Sequence, residues 1–352
     1  MTDNKFYNWE KTLSYDADVT MVVGARGVGK TFGLRVQCVK DWLKDKSRFV
    51  EITRFKNELS SVADGYFSRV GEQFANVEFR TDARMAYATF DTGDKKKKTW
   101  HVIGYFVALS DEQALKKRTF KDVRRIVLDE AILDKTDRFH NYLVNEYVKL
   151  ANVVDTVSRE RKDTKSIRPR VYLLGNALDL ANPYFTIYGV PTNVRAGYTW
   201  YKNKTFLLHY VKNEEYAKEK LTGTVAGRML SNTQGAKIAI DNDFITLDDD
   251  FISKKPKDAK YMFGLVCNKH KFGVWCSYTT GLYYITNNYP KIRDKNVYVL
   301  TADDYSINYV IVKKAEPVIK TFSEIWYYGL VRYDNLKTKT NFYEVLNLFG
   351  IK

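Results

Sequence analysis

The sequence predicts an α/β fold in two parts, and three observations carry that prediction. A β-branched run, Val19 to Val23, leads into a glycine-rich loop and then a helical apolar stripe. A second apolar run, Ile126 to Leu128, ends in the acidic pair Asp129–Glu130. Beyond about residue 229 the pattern changes to closely spaced, aromatic-rich strands followed by two helical stretches.

Length and composition agree with this division. At 352 residues the chain exceeds what one hydrophobic core usually serves, so two domains are expected. Hydrophobic residues at 45% suffice for packed interiors, yet no apolar run reaches the roughly eighteen residues of a membrane span. The opening MTDNKFYNWEKTLSYD lacks the apolar stretch of a signal peptide, so a cytoplasmic protein is expected. Three cysteines, with no C-x-x-C pair, argue against a disulfide framework or zinc ribbon. Cys267, His270 and Cys276 sit close in sequence, but in strand-like segments without ligand-knuckle spacing, so no metal is expected there. The net charge of +15 draws the chain to polyanions, nucleic acid first.

The elements of the first domain, expected over residues 1–195, follow in order. Strands are expected near Val19, Phe49, Ile126 and Val171, with helices between them, which is the alternation of a mainly parallel sheet. Glu78 to Phe90 and Thr99 to Leu109 read as an antiparallel hairpin with a lysine-rich turn, Asp91 to Lys98. Such a turn is a solvated loop tip or a contact for nucleic-acid phosphates. Asn141 to Arg161 reads as one long helix. Residues 196–228 read as a linker region with a strand over Tyr198 to Val211, a short helix over Asn213 to Leu221, and hinges at Gly223 and Gly227. The second domain, 229–352, should hold strands near Ile238 and Phe244, a meander over Tyr261–Cys267, Phe272–Tyr278 and Leu282–Ile285, and helices near Ile319–Leu330 and Asn341–Phe349.

The segment Gly24-Ala25-Arg26-Gly27-Val28-Gly29-Lys30-Thr31 satisfies G-x-x-x-x-G-K-T in full. Its glycines let backbone amides turn inward where Cβ atoms would collide with phosphate, and the following helix aims its positive end at the anion. Lys30 is placed to reach the β- and γ-phosphates of ATP, and Thr31 to offer a hydroxyl to Mg²⁺. Arg26 either contacts phosphate or is solvated. Asp129 is the expected metal partner and Glu130 the expected general base. Asn176, at the tip of a third strand, is either a γ-phosphate sensor or a turn former. From residue chemistry, Arg159 and Arg161 read as a basic helix end. The one N-K run in a suitable context, Asn268-Lys269-His270-Lys271, lacks the Asp of a guanine reader, which disfavours a GTP switch.

These segments in this order resemble the DNA-packaging ATPases, or encapsidation proteins, of phi29-like small tailed phages. The resemblance runs through FYNWEKTLSYD, GARGVGKT, ITRFKNEL, RIVLDE, DTVSRER, LLGNALDLANPYF, FGVWCSYTTGLYYI and NVYVLTADD, nearly the whole chain. It implies a P-loop ATPase domain of the additional-strand catalytic-glutamate type. It also implies a smaller C-terminal RNase H-like domain that has lost its nuclease acids, which five strands with late helices fit. It implies a homo-oligomeric ring, pentameric in the family, at the portal (connector) vertex of a procapsid in the host cytoplasm, moving double-stranded DNA inward on ATP and Mg²⁺, with or without a packaging RNA. By this resemblance Arg159 falls at the trans-acting arginine, and Lys56, in RFKNEL, at a basic interface position. Lys116 matches another such position within a divergent stretch, and the loop DTGDKKKK is more basic than the family pattern. Asp241, Asp243 and Asp248 to Asp250 crowd one turn and so do not converge as a nuclease site needs, while Asp303 and Asp304 read as a helix cap. Two other functions remain open from the residues alone: a nucleotide-binding assembly factor with negligible hydrolysis, and a nuclease-helicase.

Overall fold

The computed structural model describes residues 7–90, 98–133, 142–159, 167–177, 180, 182–191, 194–230, 251–288, 296–312 and 317–351. Internal contacts divide the chain into two units: Met1–Leu178 with Pro183–Ile245, and Asp179–Asn182 with Thr246–Lys352.

The first unit opens with α1 (Trp9–Ser14), β1 (Val19–Val23), α2 (Lys30–Asp45), β2 (Arg48–Thr53) and α3 (Leu59–Gly65). It continues through β3 (Val77–Thr81), β4 (Met85–Phe90), β5 (His101–Ala108), α4 (Glu112–Leu115), β6 (Val123–Leu128), α5 (Glu146–Ser158) and β7 (Arg170–Gly175). α6 (Pro183–Tyr188), β8 (Gly197–Tyr201), β9 (Phe206–Tyr210), α7 (Glu214–Gly223) and α8 (Val225–Leu230) complete it. Nine of the described strands form one sheet in the order β3-β4-β5-β2-β6-β7-β1-β9-β8. Strands β5, β2, β6, β7, β1 and β9 run parallel. Antiparallel pairing adds β4 and β3 at one edge and β8 at the other. The carboxyl ends of the six parallel strands therefore share one rim, the side on which open α/β sheets bind ligands. β7 lies between β1 and β6, so one extra strand separates the glycine-rich loop from the acidic pair.

The central strands are apolar on both faces because helices cover both, as parallel sheets require. Val22, Leu34, Val127, Tyr172, Leu174 and Trp9 pack as one cluster. Cys38, Trp42, Phe49, Tyr66, Ile103 and Phe106 belong to another. Phe49 and Tyr66 stack at 4.7 Å between centroids. A buried Arg125 donates to Asp41 at 2.6 Å and to the Tyr172 hydroxyl at 2.8 Å, joining β6, α2 and β7.

Three expected elements differ. The first arm of the expected hairpin is itself two strands, β3 and β4, because Asp82 Oδ1 accepts from the amides of Arg84 and Met85 at 2.7 Å and turns the chain. The strand expected over Tyr198 to Val211 is a hairpin whose turn residues Lys202, Asn203 and Lys204 all take positive φ. Within the stretch read as a linker, that hairpin joins the large sheet, with β9 parallel to β1. The long helix expected from Asn141 begins at Glu146. Its far residues, from 160 on, lie outside the described residues, as do most of the lysine-rich turn and the strands expected near Ile238 and Phe244.

The second unit contains β10 (Lys260–Cys267), β11 (His270–Ser277), β12 (Leu282–Thr286), β13 (Val297–Val299), β14 (Val310–Ile311), α9 (Pro317–Tyr327), β15 (Val331–Tyr333) and α10 (Leu336–Phe349). Its sheet order is β14-β13-β10-β11-β12-β15. β10, β11 and β12 form the antiparallel meander, and β13, β14 and β15 add in parallel. Ile319 and Phe322 of α9 and Phe342, Val345 and Leu346 of α10 cover Leu265, Phe272, Val274 and Ile285. Cys267 and Cys276 are buried strand residues. Asp304 does not cap a helix through its side chain. Its two oxygens accept the amides of Asn268 and Lys269 at 2.6 and 2.8 Å, fixing a β10–β11 turn whose two residues take positive φ.

Candidate nucleotide site

The rim carries a cleft of ≈ 790 Å³ lined by Arg26, Gly27, Gly29, Lys30, Thr31, Asp129, Glu130 and Asn176, together with Tyr7, Phe32, Gly33, Arg69 and Gly175. The glycine-rich loop and the acidic pair, about a hundred residues apart in sequence, thus meet in one concavity.

The loop joins the buried end of β1 to the first turn of α2. Gly27 and Gly29 take φ of 89° and 84°, a left-handed backbone that glycine adopts without Cβ strain. Lys30 and donors from elsewhere in the unit hold the loop's carbonyls. Lys30 Nζ donates to Gly24 O at 2.7 Å and to Ala25 O at 2.8 Å. Tyr216 Oη and Lys220 Nζ, both on α7, donate to Arg26 O at 3.1 and 2.9 Å. The Tyr7 amide donates to Val28 O at 2.8 Å, and the Trp9 indole N–H to Lys30 O at 2.9 Å. These bonds tie down the loop's carbonyls, and the free amides of such glycine-rich loops are what binds phosphate.

Lys30 is only 7% exposed. Burial pushes its pKa down to about 8, the Asp129 carboxylate opposes that shift, and Lys220 and Arg26 add to it. Three cations, Lys30, Arg26 and Lys220, therefore crowd the loop, a charge distribution that a polyanion would relieve. When the Asn176 amide is turned so that Nδ2 donates to Gly24 O at 3.0 Å, Oδ1 accepts from Arg26 Nε at 3.2 Å. That orientation satisfies both ends. The reverse leaves Oδ1 on Lys30 Nζ at 3.3 Å. In the satisfied orientation Asn176 ties β7 to both the start and the middle of the loop.

Asp129 and Glu130 form the turn after β6. Glu130 takes a φ of 52°, and its amide donates to Asp129 Oδ1 at 2.9 Å. A left-handed non-glycine residue costs on the order of 1 kcal/mol, so its surroundings must hold it. Arg54, immediately after β2, does so. Both terminal nitrogens of its guanidinium approach Glu130 O at 3.4 Å, while Nε and one terminal nitrogen donate to Glu146 at 2.7 and 2.9 Å. Glu146, at the start of α5, also accepts from Tyr184 Oη at 2.7 Å and from the Leu143 amide at 2.9 Å. Neither Arg54 nor Glu146 was legible as a functional residue, since each signals only in the company of the other.

Other expected residues lie outside the cleft. Arg159 is exposed and pairs with Asp155 at 2.5 Å. The last turn of α5 lies by the amino ends of β1 and β7, where Val154 and Ser158 line a depression with Val19 and Val171. The helix has 13 residues and so spans roughly 20 Å, which sets Arg159 at the far rim from its own chain's cleft. Lys56 is exposed and pairs with Asp111 at 3.4 Å. Lys116 donates to Gln113 at 2.7 Å on the surface.

Comparison with known proteins places the whole architecture. The podovirus DNA encapsidation protein (Gp16) family matches residues 1–350. The chain is 31% identical over 354 residues to the DNA packaging protein of Bacillus phage phi29, covering 100% of both. It is 30% identical over 342 residues to the DNA packaging protein of Bacillus phage B103, covering 97% of this chain and 100% of that one. Among solved structures it is similar to a chain of the bacteriophage Phi-29 viral genome packaging motor assembly, at a TM-score of 0.67 and 29% identity over 98% of this chain and 100% of that one. It also shares its fold with a chain of the Phi-28 gp11 DNA packaging motor, at a TM-score of 0.70 and 20% identity over 99% of each.

Proposed function

The chain belongs to the podovirus DNA encapsidation protein (Gp16) family, and on that premise we propose that it is an ATP-hydrolysing motor that drives double-stranded viral DNA into a preformed procapsid. The observation that carries this reading is the single cleft uniting Lys30 and Thr31 with Asp129 and Glu130.

The residues present fit ATP with Mg²⁺. Loop amides and the buried Lys30 ammonium would hold the β- and γ-phosphates, and Thr31 and Asp129 would hold the metal. Mg²⁺ bound there would supply charge neutralisation to the transferring phosphate. Glu130, oriented by Arg54, takes a proton from the water that attacks the γ-phosphorus, and ADP and phosphate leave. Asn176, which lines the cleft, would sense the terminal phosphate. The strand between β1 and β6 supports the additional-strand catalytic-glutamate class for this first unit. In the second unit, the order β12-β11-β10-β13-β14, with β13 and β14 parallel, supports an RNase H-like domain. Asp304, whose oxygens both serve turn amides, supports the view that this domain is not a nuclease.

Arg159 at the far rim supports action on a neighbouring subunit's nucleotide in a homo-oligomeric, pentameric ring, with Lys56 at the interface. That ring would dock on the portal vertex of the procapsid in the host cytoplasm, with or without a packaging RNA. Among the described residues, no helix is long and apolar enough to cross a membrane.

Calorimetric titration of the purified chain with ATP and Mg²⁺ tests the site. Wild type should bind ATP, and Lys30→Ala should lose at least about tenfold in affinity, the scale of one charge-assisted contact. Equal affinities would contradict the reading.

A further inference from the structure

Helix α7 lies against the phosphate-binding loop, and the contact is close. A Cβ built on Gly27 would stand 2.3 Å from Tyr216 Oη, so only glycine allows this approach. Tyr216 and Lys220 are one helical turn apart, on one face of α7, and both donate to the carbonyl of Arg26. Asn213 caps the helix by accepting the Tyr216 amide at 2.9 Å, which fixes where that face points. Lys220 is half-buried, and burial together with Arg26 holds its pKa below the usual lysine value.

An ammonium bonded to a neutral carbonyl beside two other cations is poorly matched. Asp129 and Glu130 line the same cleft as Arg26, but the partner of the Lys220 ammonium is the Arg26 carbonyl. Arg26 also faces Asn176, and Asn176 and Lys30 Nζ both donate to Gly24 O. Because this lysine serves the β- and γ-phosphates in such loops, Arg26 marks the terminal-phosphate end of the site. A lysine on a flexible four-carbon stem, held 2.9 Å from that carbonyl, is within a side-chain rotation of an anion placed there.

We propose that Lys220 is a binding residue for the terminal phosphate of the nucleotide, moving from the Arg26 carbonyl to a γ-oxygen when a triphosphate is bound. The proposal rests on the nucleotide reading of the cleft. It makes α7, which follows the last strands of the large sheet and precedes the chain leading to the second unit, responsive to whether a triphosphate or a diphosphate is present. Tyr216 stays on Arg26 O and holds the loop in both states.

Binding of ATP and ADP to wild type, Lys220→Met and Lys220→Arg, with amide hydrogen exchange over residues 214–223, tests this. Wild type should show slower exchange in that helix with a non-hydrolysable ATP analogue than with ADP. Lys220→Met should weaken ATP about tenfold and ADP less than about threefold, should lose the exchange difference, and Lys220→Arg should restore much of both. An unchanged ATP-to-ADP affinity ratio in Lys220→Met would overturn the proposal. So would an equal loss for both nucleotides, which would make Lys220 only a prop for the loop. A wild type that binds neither nucleotide would instead overturn the site itself, so the two failures are distinguishable.

Discussion

Arg54 and Glu146 form a bidentate pair at 2.7 and 2.9 Å inside the first unit, and the same guanidinium reaches the carbonyl of Glu130 at 3.4 Å. A buried charge pair thereby fixes the backbone of the expected general base, which stands at positive φ. Glu146→Gln removes the countercharge and leaves Arg54 buried without it. Breaking such a pair costs about 3–5 kcal/mol, read as a lower denaturant midpoint. Arg54→Lys keeps the charge but not the fork, and should lower ATP turnover more than ATP affinity. Turnover and stability unchanged in both variants would contradict the positioning role.

The N-terminal segment is part of the site. Trp9 donates to Lys30 O, and its ring stands where a Cβ on Gly33 would come within 2.6 Å. Trp9→Phe should cost about 1 kcal/mol of stability for the lost hydrogen bond. Gly33→Ala should cost about 1–3 kcal/mol by overpacking, and both should weaken ATP binding. Thermal unfolding with and without nucleotide checks this; a Gly33→Ala protein as stable as wild type would contradict it.

The depressed Lys30 pKa carries a signed pH dependence. Its folded value, about 8, is below the 10.5 of an unperturbed lysine. Without nucleotide, the resulting stability penalty is fully present below pH 8 and is relieved as pH rises from about 8 toward 10.5. Phosphate raises the pKa again, so ATP binding takes up a proton above pH 8. Apparent ATP affinity should therefore fall as pH rises through about 8, and Lys30→Arg should remove that fall. Isothermal titration from pH 7 to 9.5 in buffers of different ionisation enthalpy measures both affinity and proton uptake.

Arg159 at the far rim predicts complementation between subunits. Glu130→Gln and Arg159→Ala should each be nearly inactive as pure proteins. Mixed, they should recover turnover above either parent, because some interfaces then pair an intact Glu130 with an intact Arg159. No recovery at any mixing ratio would contradict action in trans.

Much of this architecture was legible in the sequence because its signals are local. The turn glycines, Lys30 and Thr31 lie within eight consecutive residues, and Asp129–Glu130 close an apolar strand. The parallel core followed from alternating strands and helices. What escaped was relational. Arg54, Glu146, Tyr216, Lys220 and Trp9 act through partners 21 to 194 positions away, at contacts that no spacing rule encodes. The Asp82 turn and the Lys202–Lys204 turn were missed for another reason: neither contains glycine or proline, so charged side chains hid a reversal that Asx bonding and positive φ achieve. Arg159 was the reverse case, unremarkable by its own chemistry and informative only through family resemblance and its distance from the cleft.

The central claim is that the Gly24–Thr31 loop and the Asp129–Glu130 pair form one ATP-hydrolysing site. Steady-state phosphate release with Mg²⁺ and duplex DNA, measured beside equilibrium ATP binding, tests it most directly. Wild type should hydrolyse ATP, and Glu130→Gln should bind ATP with near wild-type affinity while releasing phosphate at least about a hundredfold more slowly, the lower range of general-base contributions. A Glu130→Gln protein that turns over ATP at the wild-type rate would contradict the account.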